Sequence, residues 1–255
     1  MSKSSLDGVE ALIFDVFGTA VDWRGSVIKE LEALGKKCSL SESSDDWAEF
    51  ASEWRTGYIH NTRRIAGGGI GSGNVDIMHR EILEQMLSSS KWSHVGKVLD
   101  DDTRAHLNLV WHRLNGWPDT VEGLHELKKK TIIATLSNGN VRLLVDMAKH
   151  AGLPWDVVFS GELFNSYKPN PATYQGALKH LSLSETPHKA AMVAAHIFDL
   201  RAAAKVGLRT VYVPRPQEEW DIADLRAEGI EIKSKAEGGD VDAVVKDFHE
   251  LANLL

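Results

Sequence analysis

The chain has 255 residues, 43% of them hydrophobic and 25% charged, a composition that supports one large globular core or two small ones. No stretch reaches the ~20 consecutive apolar residues of a membrane span, and the charged N-terminal segment carries no apolar leader of a secretory signal. A net charge of −7 with a single basic run, Lys128-Lys129-Lys130, speaks against a nucleic-acid surface, and the lone Cys38 excludes an internal disulfide and fits a reducing compartment, the cytoplasm.

Residues 9–14 form a short apolar run that closes on Asp15, which predicts a buried parallel strand. From there to residue 116 helical spacing dominates. Residues 45–66 carry Trp47, Phe50, Trp54 and Tyr58 at helical intervals, a glycine-rich break follows at 67–73, and residues 75–87 and 103–114 read as further amphipathic helices. Trp23, Trp47, Trp54, Trp92 and Trp111 all fall in this half, so the helical region should be packed with large aromatics.

After Trp117-Pro118 the rhythm changes. Asp119 and Glu122 have the spacing of an N-cap and its N3 partner for a helix running to Lys130, whose final cations suit the helix dipole. A strand is predicted at 131–136, a helix from Val141 stopped by Gly152, a strand at 157–159 and a helix at 171–181. Then come a strand at 191–194, a helix at 199–206 stopped by Gly207, and strands at 210–213 and 243–245. Alternating strand and helix predict an α/β fold with a doubly wound parallel sheet. Residues 1–22 and 117–255 would make this Rossmann-like core, and the helical block 23–116, inserted after the first strand, would cap it.

In an open parallel sheet ligands bind beyond the carboxyl ends of the strands. The first strand runs out into Asp15-Val16-Phe17-Gly18-Thr19, and the second ends at Ser137-Asn138-Gly139. The loop after the third carries Tyr167-Lys168-Pro169, and the fourth continues as Ala194-Ala195-His196-Ile197-Phe198-Asp199. Hydroxyls, an amide, an ammonium and two carboxylates thus gather on one edge. Singly, each is an ordinary cap, turn or loop residue; their order at four successive strand ends carries the information.

In that order the residues resemble the haloacid dehalogenase superfamily, whose marks are a strand-terminal Asp with Gly-Thr downstream, a Ser/Thr, a Lys and a last acid. The resemblance spans nearly the whole chain, because the helical insert matches that family's cap position. Phosphatases of the superfamily use Asp-x-Asp, the second acid protonating the leaving alkoxide; here Phe17 stands there and cannot donate. They also hold Mg²⁺ with an acidic pair after the fourth strand, of which Ala195 replaces the first. Halide leaves without a general acid, and Mg²⁺ wants several hard oxygens. The resemblance is therefore closest to L-2-haloacid dehalogenases, where a Trp-Arg on the first long cap helix and a Tyr six residues after the Lys recur; Trp54-Arg55 and Tyr174 match. The chain departs from the better-known members at Ala194-Ala195-His196, where they carry Ser-x-Asn.

The resemblance implies hydrolysis of a small 2-haloalkanoic acid to the 2-hydroxy acid through an aspartyl ester on Asp15, with inversion at C2 and without metal or cofactor. It implies that Lys168 keeps Asp15 ionised and that Arg55 draws off the halide. Thr19, Ser137 and Asn138 would hold the substrate carboxylate or the ester oxyanion, and Asp199, together with His196, would orient or deprotonate water. Val16, Phe17, Tyr174 and Phe198 would complete the substrate site. The expected partners are a haloacid and its halide, with no nucleic acid and no membrane, and a homodimer is left open. Two alternatives stand beside this reading: a phosphatase-type hydrolase, and a catalytically silent ligand-binding member, against which intact Asp15, Lys168 and Asp199 argue.

Overall fold

The computed structural model describes residues 4–218 and 231–255. In chain order, strand β1 (Ala11–Phe14) and the short β2 (Val21–Asp22) precede five helices: α1 (Trp23–Cys38), α2 (Ser44–Ala66), α3 (Val75–Ser88), α4 (Ser93–Val98) and α5 (Asp101–Asn108). Then follow β3 (Asn115–Gly116), α6 (Thr120–Lys128), β4 (Ile132–Ser137), α7 (Val141–Ala151) and β5 (Val157–Ser160). Helix α8 (Pro171–His180), β6 (Ala190–Ala194), α9 (Ile197–Val206), β7 (Arg209–Tyr212), β8 (Ala243–Val244) and α10 (Phe248–Leu254) complete the described chain.

Six strands form one parallel sheet in the order β5-β4-β1-β6-β7-β8. The α/β parallel sheet expected from the sequence is therefore present. Every β1 residue is buried, as an apolar strand covered on both faces must be. Alternation divides the sheet's side chains between two layers. Leu12, Phe14, Ile133, Ala191 and Val193 face one apolar cluster, which also takes in Leu143 of α7 and Phe248 of α10. Ala11, Ile13, Ala134, Met192 and Ala194 face the other, with Tyr174 of α8 and Leu200 of α9.

The helical block joins the first cluster. Along α2 the buried residues are Trp47, Phe50, Ala51, Trp54, Arg55, Tyr58 and Thr62, the three-and-four spacing of one helix face. The Ser43–Asp46 capping box starts this helix. Trp54 is fully buried and meets Trp111 edge-to-face at 5.3 Å, and Trp23, Trp47 and Trp92 are buried as well, as the aromatic excess predicted. No helix among the described residues is long and apolar enough to cross a membrane.

Several elements differ from the expectation. The helix expected over 103–114 is α5, which ends at Asn108 and tightens into a 3₁₀ turn, Leu109–His112. That turn delivers Trp111 and His112 inward, where His112 bridges Asp76 and Asp146 at 2.9 and 3.0 Å. Asp119 precedes α6 but makes no cap bond. Its carboxylate instead accepts from Arg215 at 2.6 and 3.0 Å and from the Phe248 amide at 2.9 Å. The helix stops at Lys128, whose ammonium reaches the Pro154 carbonyl at 2.8 Å and Asp156 at 2.5 Å. Helix α9 begins at Ile197, two residues before the expected start, with His196 at its N-cap. The antiparallel β2–β3 ribbon, pairing Val21 with Gly116 and Asp22 with Asn115, was not foreseen; it joins the two points where the chain enters and leaves the helical block. Residues 219–230, assigned to the core by sequence, lie outside the described residues.

Candidate active site

Strand β1 lies between β4 and β6, and its register pairs Phe14 with Thr135 and with Val193. The next residue, Asp15, therefore emerges level with the ends of both neighbours. Its amide donates to the Val193 carbonyl at 3.0 Å, which fixes the backbone from which the carboxylate projects. β4 ends at Ser137 and β6 at Ala194, so the residues singled out at strand ends converge on this edge.

Asp15 is 7% exposed and both its oxygens are engaged. Oδ1 accepts from Lys168 Nζ at 2.8 Å. Oδ2 accepts from Thr19 Oγ1 at 2.8 Å and lies 3.0 Å from His196 Nδ1. Thr19 in turn accepts from the Ala195 amide at 2.9 Å. Burial alone would raise the Asp15 carboxyl, but the Lys168 ammonium and the His196 ring outweigh it and hold the group well below the usual carboxylate range. Lys168 also touches Asp199 Oδ2 at 2.5 Å, and the Tyr174 hydroxyl donates to Asp199 Oδ1 at 2.5 Å. Burial pushes Asp199 up even beside Lys168, and it pushes the Tyr174 phenol well up, helped by Asp199. For Lys168 burial works against the charged form, yet the two carboxylates prevail and raise it. The two acids are thus shifted in opposite directions, Asp15 toward the ionised form and Asp199 away from it.

A cavity opens over Asp15. Its wall includes Phe17, Arg55, Tyr58, Ser137, Asn138, Lys168, His196 and Phe198. Arg55 descends from α2, 6% exposed, with its guanidinium carbon 4.9 Å from the Tyr58 ring centre and 5.4 Å from those of Phe17 and Trp23. Among the described residues its Nε and Nη1 meet no hydrogen-bond acceptor, a costly state for buried donors, and one that an anion in the cavity would relieve. Asn138 does not reach into open space alone: its Oδ1 accepts from the Lys168 amide at 2.7 Å, so it positions the lysine loop. Ser137 Oγ accepts from the Gly139 amide at 3.2 Å.

The structure therefore brings Asp15, Phe17, Arg55, Ser137, Asn138, Lys168, His196 and Phe198 to one cavity. Val16, Thr19, Tyr174 and Asp199, all buried, stand behind its wall. Glu218 was not foreseen. It is 2% exposed, its Oε2 lies 2.9 Å from His196 Nε2, and the Trp23 indole donates to Oε1. Gly18 accommodates it: a Cβ there would fall 2.3 Å from Glu218 Oε2, on a backbone with φ +83°. The signal lay in the loop after β7, a fifth strand end.

A divalent cation fits this arrangement poorly. The Lys168 ammonium lies between Asp15 and Asp199, where a metal would bridge two acids, and the side chains of Phe17 and Ala195 offer no oxygen. Among the described residues no cluster of three or more His, Cys, Asp or Glu side chains is disposed to hold a metal ion.

Comparison with known proteins fits the geometry. The family model of haloacid dehalogenase-like hydrolases matches residues 9–207. An (S)-2-haloacid dehalogenase of Burkholderia cepacia is 26% identical over 230 residues, covering 87% of this chain and 90% of that protein. One from Pseudomonas sp. (strain CBS-3) is 28% identical over 221 residues, covering 84% and 89%. Among solved structures, a defluorinating L-2-haloacid dehalogenase superposes with a TM-score of 0.82 at 34% identity, covering 100% of this chain and 98% of the other. Another L-2-haloacid dehalogenase superposes at 0.80 with 35% identity, covering 96% and 98%.

Proposed function

The chain belongs to the haloacid dehalogenase-like hydrolase family, and we propose that within it the protein hydrolyses the carbon–halogen bond of a small 2-haloalkanoic acid. The observation that carries this reading is the pairing of an ionised, buried Asp15 with the two unsatisfied guanidinium nitrogens of Arg55 across one cavity. One group is a nucleophile kept charged; the other is a buried cation with donors directed at an anion's place.

In the proposed route Asp15 attacks C2 from the side opposite the halogen. The carbon–halogen bond breaks, its electron pair leaves on the halide, and C2 becomes esterified to the enzyme. Arg55 receives the negative charge that moves onto the halogen, so it acts most strongly in the transition state. Ser137 and Asn138, which line the cavity, hold the substrate carboxylate. Thr19, held by the Ala195 amide, and Lys168 fix the orientation of Asp15. Water then attacks Cγ of Asp15, the C2–O bond survives, and the configuration at C2 is inverted overall. Phe17, Tyr58 and Phe198 keep bulk water from the cavity, which strengthens each of these electrostatic contacts. Residues 23–116 act as the cap that carries Arg55 to the nucleophile.

The test is halide release from each enantiomer of 2-chloropropionate, with and without EDTA. The proposal expects release from the S enantiomer, formation of R-lactate, and an unchanged rate in EDTA. Chelator-sensitive hydrolysis of phosphate esters, with no halide released, would instead make the protein a phosphatase-type hydrolase.

A further inference from the structure

The ester route needs a group that takes a proton from the hydrolytic water. Sequence points to Asp199 together with His196, but both oxygens of Asp199 are occupied, Oδ2 by Lys168 and Oδ1 by Tyr174. It is 1% exposed and stands behind the cavity wall. Lys168 lines the cavity but stays charged against Asp199 after Asp15 is esterified. The guanidinium groups of Arg55 and Arg63 are donors with no acceptor lone pair, and burial raises the Tyr58 phenol. Among the described cavity-lining residues, His196 is the remaining group with a nitrogen lone pair to offer.

Its surroundings are those of a held base. Nδ1 faces the nucleophile at 3.0 Å, and Nε2 faces Glu218 at 2.9 Å. Glu218 is itself fixed, with Trp23 on its other oxygen and the bare Cα of Gly18 against it. We infer that His196 is the base that activates the hydrolytic water, and that Glu218, from the loop after β7, is the residue that positions it. This inference rests on the ester route proposed above.

The two carboxylates set the timing. In the resting enzyme burial would lower His196, but the contacts to Asp15 and Glu218 prevail and push it up to about 10, so the imidazolium donates to both. Alkylation turns Asp15 into a neutral ester. The ring then loses the charge of Asp15 from its Nδ1 side, keeps Glu218 on its Nε2 side, and releases its Nδ1 proton to solvent, the proton that accompanies halide in the net reaction. Glu218 holds the Nε2–H tautomer, so the Nδ1 lone pair faces the ester. Water gives one proton to Nδ1 as its oxygen bonds to Cγ. The bond from Cγ to the substrate oxygen breaks, and that oxygen takes the proton from Nδ1 and leaves as the hydroxy acid. The second water proton, now on the Asp15 carboxyl, passes to His196 and restores the resting ion pair. The base is thus inactive while Asp15 is free and active once it is esterified.

Glu218→Gln and His196→Gln test this with excess (S)-2-chloropropionate, following halide, hydroxy acid and the intact mass of the protein. Both variants should release about one equivalent of halide in a burst and accumulate ester on Asp15. Steady turnover should then fall by ~10²-fold or more, the usual weight of a positioned base. The burst itself shows that a variant is folded and alkylates, and if Glu218→Gln does not fold, His196→Gln carries the test. Variants that turn over at the wild-type rate, or that lose burst and turnover together without accumulating ester, would overturn the assignment. A wild-type protein that releases no halide from any haloacid would instead overturn the dehalogenase reading beneath it.

Discussion

Lys168→Met removes one charge and little volume from the most tightly coupled point of the site. Lys168 is 5% exposed, and its ammonium lies 2.8 Å from Asp15 and 2.5 Å from Asp199. Removing one partner of a buried ion pair costs about 3–5 kcal/mol, a large part of a total stability of about 5–15 kcal/mol. Asp199 keeps Tyr174 as its neighbour and is already pushed up by burial, so it escapes by taking a proton. A proton bound by the folded variant and not by its unfolded chain makes the variant more stable as pH falls. Wild-type Asp15 has the opposite sign: its pKa is depressed, so its contribution is present above the unfolded value of about 3.9 and is lost as pH falls through the folded value. The gap between the two proteins should therefore be widest near pH 8 and narrow toward about pH 5. Urea unfolding across that range reads the gap, and halide release should drop by ~10²-fold or more. A gap below about 1 kcal/mol, or one that does not change with pH, would refute the idea that Lys168 compensates two buried acids.

Arg55→Ala should lower kcat more than it raises KM, because the guanidinium meets charge that develops only as the halide departs; the loss should be larger for chloroacetate than for iodoacetate, and a small uniform effect would return Arg55 to a packing role. Arg55→Lys should restore only part of the rate, since it lacks the planar fork. His112 bridges Asp76 on α3 and Asp146 on α7, and these partners raise it although burial acts against them. Its stabilisation is complete below about pH 6.5 and is lost as pH rises through the folded value. His112→Gln should flatten that slope in urea titrations, and a stability difference that stays constant across the range would show that His112 does not titrate there.

Much of the site was readable because its chemistry sits at strand ends, where a short apolar run and the residue after it are contiguous. Asp15, Ser137 and His196 were placed that way, and a parallel register then forced them together. Lys168 was picked up in the loop after the third strand, but Arg55 needed the family resemblance, since an arginine on a helix carries no local mark of burial. Tyr174 and Asp199 were grouped with the site, but sequence could not show that they stand behind the cavity wall and do not line it. Glu218 escaped because only four strand ends were read, although Gly18 and the loop after β7 each hold one half of its contact. Local periodicity also could not see β2 pairing with β3, whose residues are separated by the whole helical block. Nor could it show α5 yielding to a 3₁₀ turn, which follows from the tertiary contacts of Trp111 and His112.

The central claim is that Asp15 forms a bond to the substrate carbon. A single turnover in H₂¹⁸O, with enzyme in excess over (S)-2-chloropropionate, tests it directly by mass analysis of the peptide containing Asp15 and of the lactate released. If water attacks the enzyme's ester carbon, the first turnover places ¹⁸O in the Asp15 carboxylate and leaves the product hydroxyl unlabelled. Label in the lactate hydroxyl on that first turnover, with Asp15 unlabelled, would mean that water attacked C2 itself and would contradict the account.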